Sequence, residues 1–220
     1  MIGAMGDRDS RPLTREAVID AAIAVIDRGG VRACTMRGVS TALGVEPMSL
    51  YWHVANKDDL LDGVIVRILE TIAVPPGDGM DWRAYVREFA RGFRQILLDH
   101  PNVALLLAQR PVSGYLAAKR AALYFLESLA AAGFDEQQAA DVARVVVRFV
   151  FSIASTESAT RNEPPASTAA EHPAMHLLIA SLDNEEAERL FDMSLRALIA
   201  GLDATVEHAA PTDRSEPARP

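Results

Sequence analysis

Apolar positions in this chain recur at helical spacing nearly throughout, and strand-like alternation is absent. The first amphipathic run covers about Thr14–Arg28, with Val18, Ala22, Val25 and Ile26 on one face. Thr14 is placed to cap it, Glu16 sets a carboxylate in its first turn, and Gly29-Gly30 stops it. A second helix follows Thr35, with Met36, Val39 and Leu43 on its buried side and Gly44 at its end. A short third helix spans about Pro47–His53. Proline suits a first helical position, where the amide nitrogen has no intrahelical partner. A fourth helix starts after Asn56, with Asp58 and Asp59 in its first turn, and carries Leu60, Leu61, Val64, Ile65 and Ile68. Gly63 reads as a soft point within it.

The Pro- and Gly-rich run Val74–Met80 is the clearest break in the chain. Beyond it the pattern predicts helices over about Asp81–Asp99, Asn102–Gln109, Ser113–Ala132, Glu136–Thr160, His176–Leu182 and Asn184–His208. Residues 162–173 read as a loose loop, and residues 1–11 and 209–220 as disordered tails. The fold class is therefore all-α, with a small N-terminal bundle over 12–72 and a larger helical domain over 80–208.

Composition changes this picture in two ways. The 220 residues suffice for a sizeable core, and the single cysteine, Cys34, excludes an intrachain disulfide and fits a reducing compartment, the cytoplasm. The polar Met1–Pro12 segment does not read as a signal peptide. The most apolar stretch, Val142–Ala154, contains Arg144 and Arg148 and does not read as a membrane span. A net charge of −8 at first opposes a nucleic-acid partner, but it is unevenly spread. Residues 1–60 hold 7 basic and 8 acidic groups, whereas Arg28, Arg32, Arg37 and Lys57 face only Glu46 between positions 28 and 57. Counterion release depends on such local contacts rather than on whole-chain charge.

The most informative stretch is Thr35–Lys57, TMRGVSTALGVEPMSLYWHVANK. A capped helix, a tight Gly44-Val45 turn and a short second helix make a helix-turn-helix layout, able to present its second helix to a major groove. Leu43, Val45 and Leu50 are apolar where the two helices meet. Ser49, Tyr51 and His53 are polar on the outer side. Spacing alone leaves an ordinary helical hairpin open as well.

The order of first helix, Gly-Gly stop, T-x-R, LGV turn and SLYWHVANKDDLL resembles the tetracycline-repressor (TetR) family of bacterial regulators, most closely over residues 14–62. The resemblance implies roles residue by residue. Arg37 matches an arginine that reaches the major groove, where its fork suits guanine O6 and N7; a surface ion pair is the alternative. Thr35 matches a phosphate-contacting cap. Tyr51 and His53 match contacts of the recognition helix, while Trp52 reads as packing. Lys57, ahead of the free amides of the fourth helix, matches a phosphate clamp. The departure is Glu46-Pro47-Met48-Ser49, where close tetracycline repressors carry Gln-Pro-Thr at the last three positions. Pro47 offers no side-chain donor and Met48 only apolar contact, for example to a thymine methyl, so a different operator is implied.

The resemblance also implies a homodimer built by C-terminal helices on a palindromic operator, and release by a small-molecule effector. Two segments carry extra apolar residues for such an interface: Asp141–Ser155, and Glu186–Val206. Phe89, Phe93, Leu106, Gln109, Tyr115, Phe149 and Thr156 are the candidate pocket residues, with core packing the alternative for each. Leu106 falls about where tetracycline repressors place a magnesium-ligating histidine, which argues against a magnesium–tetracycline effector. No cofactor, metal or catalytic residue is expected: His172 and His176 have ligand-like spacing, but Pro173 breaks the helix that spacing needs. No nucleophile or phosphate-binding motif stands out. An enzyme and a helical protein-binding adaptor remain the rival classes.

Overall fold

The computed structural model describes residues 12–72, 80–110, 116–160 and 183–209. The expected helix over 176–182, the loop over 162–173, most of the 74–80 break, and nearly all of both tails lie outside the described residues. Among the described residues all regular structure is helical. The helices are α1 (Arg15–Ala33), α2 (Met36–Leu43), α3 (Pro47–Leu50), α4 (Lys57–Glu70), α5 (Trp82–Asp99), α6 (Pro101–Gln109), α7 (Leu116–Ala131), α8 (Glu136–Thr160) and α9 (Asn184–Ala209). None of the helices among these residues is long and apolar enough to cross a membrane.

Local chemistry sets the boundaries of the first four. The side chains of Thr14, Thr35 and Asn56 accept hydrogen bonds from the amides of Ala17, Gly38 and Asp59, which satisfies helix N-termini that would otherwise lack partners. α1 is broken at Gly30, whose φ of 73° leaves the helical region, and one further turn runs to Ala33. α2 ends in a left-handed Gly44 with φ 69°. There the Val45 amide donates to Ser40 O and the Gly44 amide to Thr41 O, a Schellman closure that turns the chain sharply. α3 is shorter than expected, but hydrogen bonds from the amides of His53 and Val54 to Leu50 O carry its turns onward.

Contacts divide the chain into two compact units. The first joins the described part of Met1–Thr71 with that of His100–Ala118. Its core is Val18, Ala22 and Ile26 of α1, Val39, Leu50 and Val54 of the helix-turn-helix, and Leu60, Val64 and Ile65 of α4, with Val103 and Leu106 of α6. α6 thus packs on α1 and α4 although it follows the linker in sequence. Its N-terminal end is tied to α1, where His100 Nδ1 lies 2.9 Å from an Asp27 carboxylate oxygen and the Asn102 amide donates to Ile26 O. Its C-terminal end is tied to α4, where Arg110 pairs with Asp58 at 2.5 Å and with Asp62.

The second unit is built on α5, α7, α8 and α9. α5 buries Trp82, Tyr85, Val86, Phe89, Phe93 and Leu97 along one face. Arg94 is buried with them. It bonds to Glu157 of α8 and Glu188 of α9 and lies over the Phe191 ring, so a charge taken out of water keeps its partners.

Candidate nucleic-acid interface

α2 and α3 meet across the Gly44 turn, held by fully buried Val39 and Leu50. Leu50 and Val54 share the inward side of the α3 segment, one turn apart. Met48, Tyr51 and Trp52 project outward, with 71%, 47% and 89% of their surfaces exposed. Ser49, His53 and Pro47 are half-buried beside them. The reading of Trp52 as packing is corrected here. Its neighbours in sequence supply the inward contacts, and its indole is left in solvent.

A clip not visible in the sequence fixes this segment. Arg15, at the start of α1, donates to His53 O at 2.6 Å and forms a bidentate pair with Asp59 at 2.6 and 3.2 Å. Asp59 also accepts the Ala55 amide at 2.8 Å. The Arg15 hydrogen bonds, reinforced by the Ala55 amide, hold the Asp59 carboxyl below the usual carboxylate range. The end of the recognition segment is thereby pinned between α1 and α4.

The same pairing segregates charge. Within the first unit Asp20 bonds Arg67, Asp27 meets His100, Asp58 and Asp62 hold Arg110, and Asp59 holds Arg15. Arg28, Arg32, Arg37 and Lys57 are exposed, and among the described residues none of the four has a carboxylate within ion-pair distance. The ion-pair alternative for Arg37 therefore finds no partner there. Thr35 is exposed at the mouth of α2 while capping it, and Lys57 stands at the first turn of α4. Cys34 is buried, which pushes its thiol up and makes it a packing residue.

The candidate pocket residues are divided between the two units. Phe89 and Phe93 are buried in the second unit, ring centroids 5.8 Å apart, and Phe89 and Tyr85 both stack on Phe125 at 5.7 and 5.4 Å. Burial pushes the Tyr85 phenol up to about 12, so it stays neutral. Phe149 is half-buried and stacks on Phe191, while Thr156 is exposed and donates to Ser152 O of its own helix. Leu106 and Gln109 belong to α6 of the first unit, the former buried and the latter exposed. Tyr115, like His172 and His176, lies outside the described residues. Sequence reasoning missed Phe125, although an aromatic on an apolar α7 was a usable signal.

Comparison with known proteins agrees with this geometry. Residues 18–64 match the family model "Bacterial regulatory proteins, tetR family", and residues 75–206 match "Tetracyclin repressor-like, C-terminal domain". An HTH-type transcriptional regulator of Saccharopolyspora erythraea is 32% identical, over 88% of this chain and 86% of the relative. ActR of Streptomyces coelicolor in complex with actinorhodin superposes with a TM-score of 0.71 at 28% identity, covering 89% of this chain and 99% of that one. BioQ with its double-stranded DNA operator gives a TM-score of 0.65 at 27% identity, over 88% and 99% of the two chains. Matches that run through both units, on a chain whose recognition segment is exposed, leave one conclusion: it belongs to the TetR family and is a DNA-binding transcriptional regulator.

Proposed function

We propose that this chain is a cytoplasmic repressor whose reader, residues 12–72, recognises a palindromic operator through Thr35, Arg37, Pro47, Met48, Ser49, Tyr51, His53 and Lys57. Arg37 reads a guanine; Thr35, Tyr51 and Lys57 hold phosphates and set register. The observation that carries this is an outward-facing α3 between exposed Arg37 on α2 and exposed Lys57 on α4, with Asp58 and Asp59 beside Lys57 engaged by Arg110 and Arg15. Residues 80–208 serve as sensor and dimer scaffold. α8 and α9 leave Val145, Val147 and Met193 exposed, apolar side chains that a second copy would cover in part.

For the effector, the buried aromatic cluster of Tyr85, Phe89, Phe93 and Phe125 favours a flat aromatic molecule, which would stack on these rings in place of one of their contacts with each other. ActR, similar over most of its length, binds actinorhodin. The test is selection of duplexes from a random-sequence library at moderate salt, followed by titration of Arg37→Ala on the enriched duplex. A palindrome should emerge, and the variant should bind it about 5- to 150-fold more weakly for each half-site, the equivalent of about 1–3 kcal/mol each. No enrichment, or full affinity in the variant, overturns the reading.

A further inference from the structure

The outward face of the recognition segment carries the Tyr51 hydroxyl, but its two most exposed side chains, Met48 and Trp52, are largely apolar. Pro47 has no side-chain donor or acceptor, Met48 has only a thioether, and Trp52 has a single indole N–H on a large apolar ring. These are not buried residues turned outward by a loose fold. Leu50 and Val54 fill the inward side at 0% and 2% exposure, so the segment's orientation is fixed. Met48 and Trp52, each two residues out of step with that inward pair, are held on the opposite side, one turn apart. The bond from Arg15 to His53 O secures the segment immediately after Trp52. Exposing two large apolar side chains to water is unfavourable unless a surface covers them, and the surface that this face meets in a DNA-reading protein is the floor of the major groove. The apolar feature of that floor is the thymine C5-methyl group.

We infer that Met48 and Trp52 form an apolar reader that selects thymine by its methyl group, complementing the guanine read by Arg37. The inference rests on the DNA-binding function proposed above and adds the base class that the recognition segment chooses. Each half-site then contains at least one thymine whose methyl is buried on Met48 and Trp52, and that thymine is chosen without a side-chain hydrogen bond.

The experiment uses the full-length protein and the duplex enriched from the random library, remade with deoxyuridine in place of every thymidine. Uracil keeps the pairing and the groove's donors and acceptors and lacks only the methyl. Burial of one methyl corresponds to about a fourfold change in affinity, so one in each half-site of a dimer gives about fifteenfold weaker binding. Met48→Ala and Trp52→Ala should bind the thymidine duplex more weakly than the wild type. They should also discriminate less between the thymidine and deoxyuridine duplexes. Equal wild-type affinity for the two duplexes overturns the inference while leaving DNA binding intact. So does a loss on methyl removal that both variants retain in full, because the methyl would then act through the DNA rather than through these side chains. Failure to enrich any duplex is a different result, and it removes the DNA-binding reading along with the inference.

Discussion

At the scale of single residues, the Arg15–Asp59 pair shows how a surface contact can matter for position rather than for bulk stability. Both side chains are about a third or more exposed, so solvent screening limits the pair to about 1 kcal/mol or less. The sign of its pH dependence follows from the direction of the shift. Arg15 and the Ala55 amide lower the Asp59 value in the folded state, so the contribution is fully present above the ordinary carboxylate value. It is lost as pH falls through the lowered one. Asp59→Asn should therefore melt below the wild type at pH 7, and the gap should close towards pH 3. A gap of constant size across that range would mean that the Asp59 charge contributes nothing. Neither partner announces this pair in the sequence, because 44 positions separate them and only the packing of α1 on α4 brings them together. Trp52 is the converse case. Its identity was plain, but an indole in a recognition segment and one in a core look alike until the inward positions have been assigned to Leu50 and Val54.

At the scale of elements, the ends of helices were legible because capping is local. Thr14, Thr35, Asn56 and Gly44 each act within five residues of their own position. The packing of α6 on α1 and α4 was not legible, since its periodicity marks a buried face without naming the partner. Gly63 also needed the structure. As a soft point it would be tolerant, yet it is buried where α4 meets α1. A Cβ there would lie 2.7 Å from Ile19 Cδ1 and 3.0 Å from Ile19 Cγ1. Two effects oppose each other in Gly63→Ala. Alanine favours the helix by about 1 kcal/mol, while overpacking costs about 1–3 kcal/mol. Overpacking should win, and urea denaturation should show a net loss of about 1 kcal/mol. Ile19→Val deletes the nearer colliding atom, so in that background Gly63→Ala should become neutral or stabilising. If Gly63→Ala raises stability in the wild-type background, the close approach is not limiting.

At the scale of the whole molecule, a chain with a net charge of −8 must bind a polyanion. The arrangement of charge, rather than its total, makes this feasible. Asp58 and Asp59, the acids beside Lys57, are engaged by Arg110 and Arg15, so that of the charges near the recognition helix Arg37 and Lys57 are opposed chiefly by Glu46. Charges beyond a screening length of about 8 Å contribute little at physiological salt, so cations that touch phosphate should count for more than the chain's total charge. Salt titration of operator affinity separates the two views. If local contacts dominate, log Kd plotted against log salt is steep, and Lys57→Ala makes it shallower by about 0.9 for each phosphate no longer neutralised, or about two units in a two-fold dimer. The variant should weaken operator and random DNA by similar factors, because a phosphate contact carries no sequence information. An unchanged slope in Lys57→Ala would remove Lys57 from the interface. A greater loss on operator than on random DNA would assign it to base recognition instead.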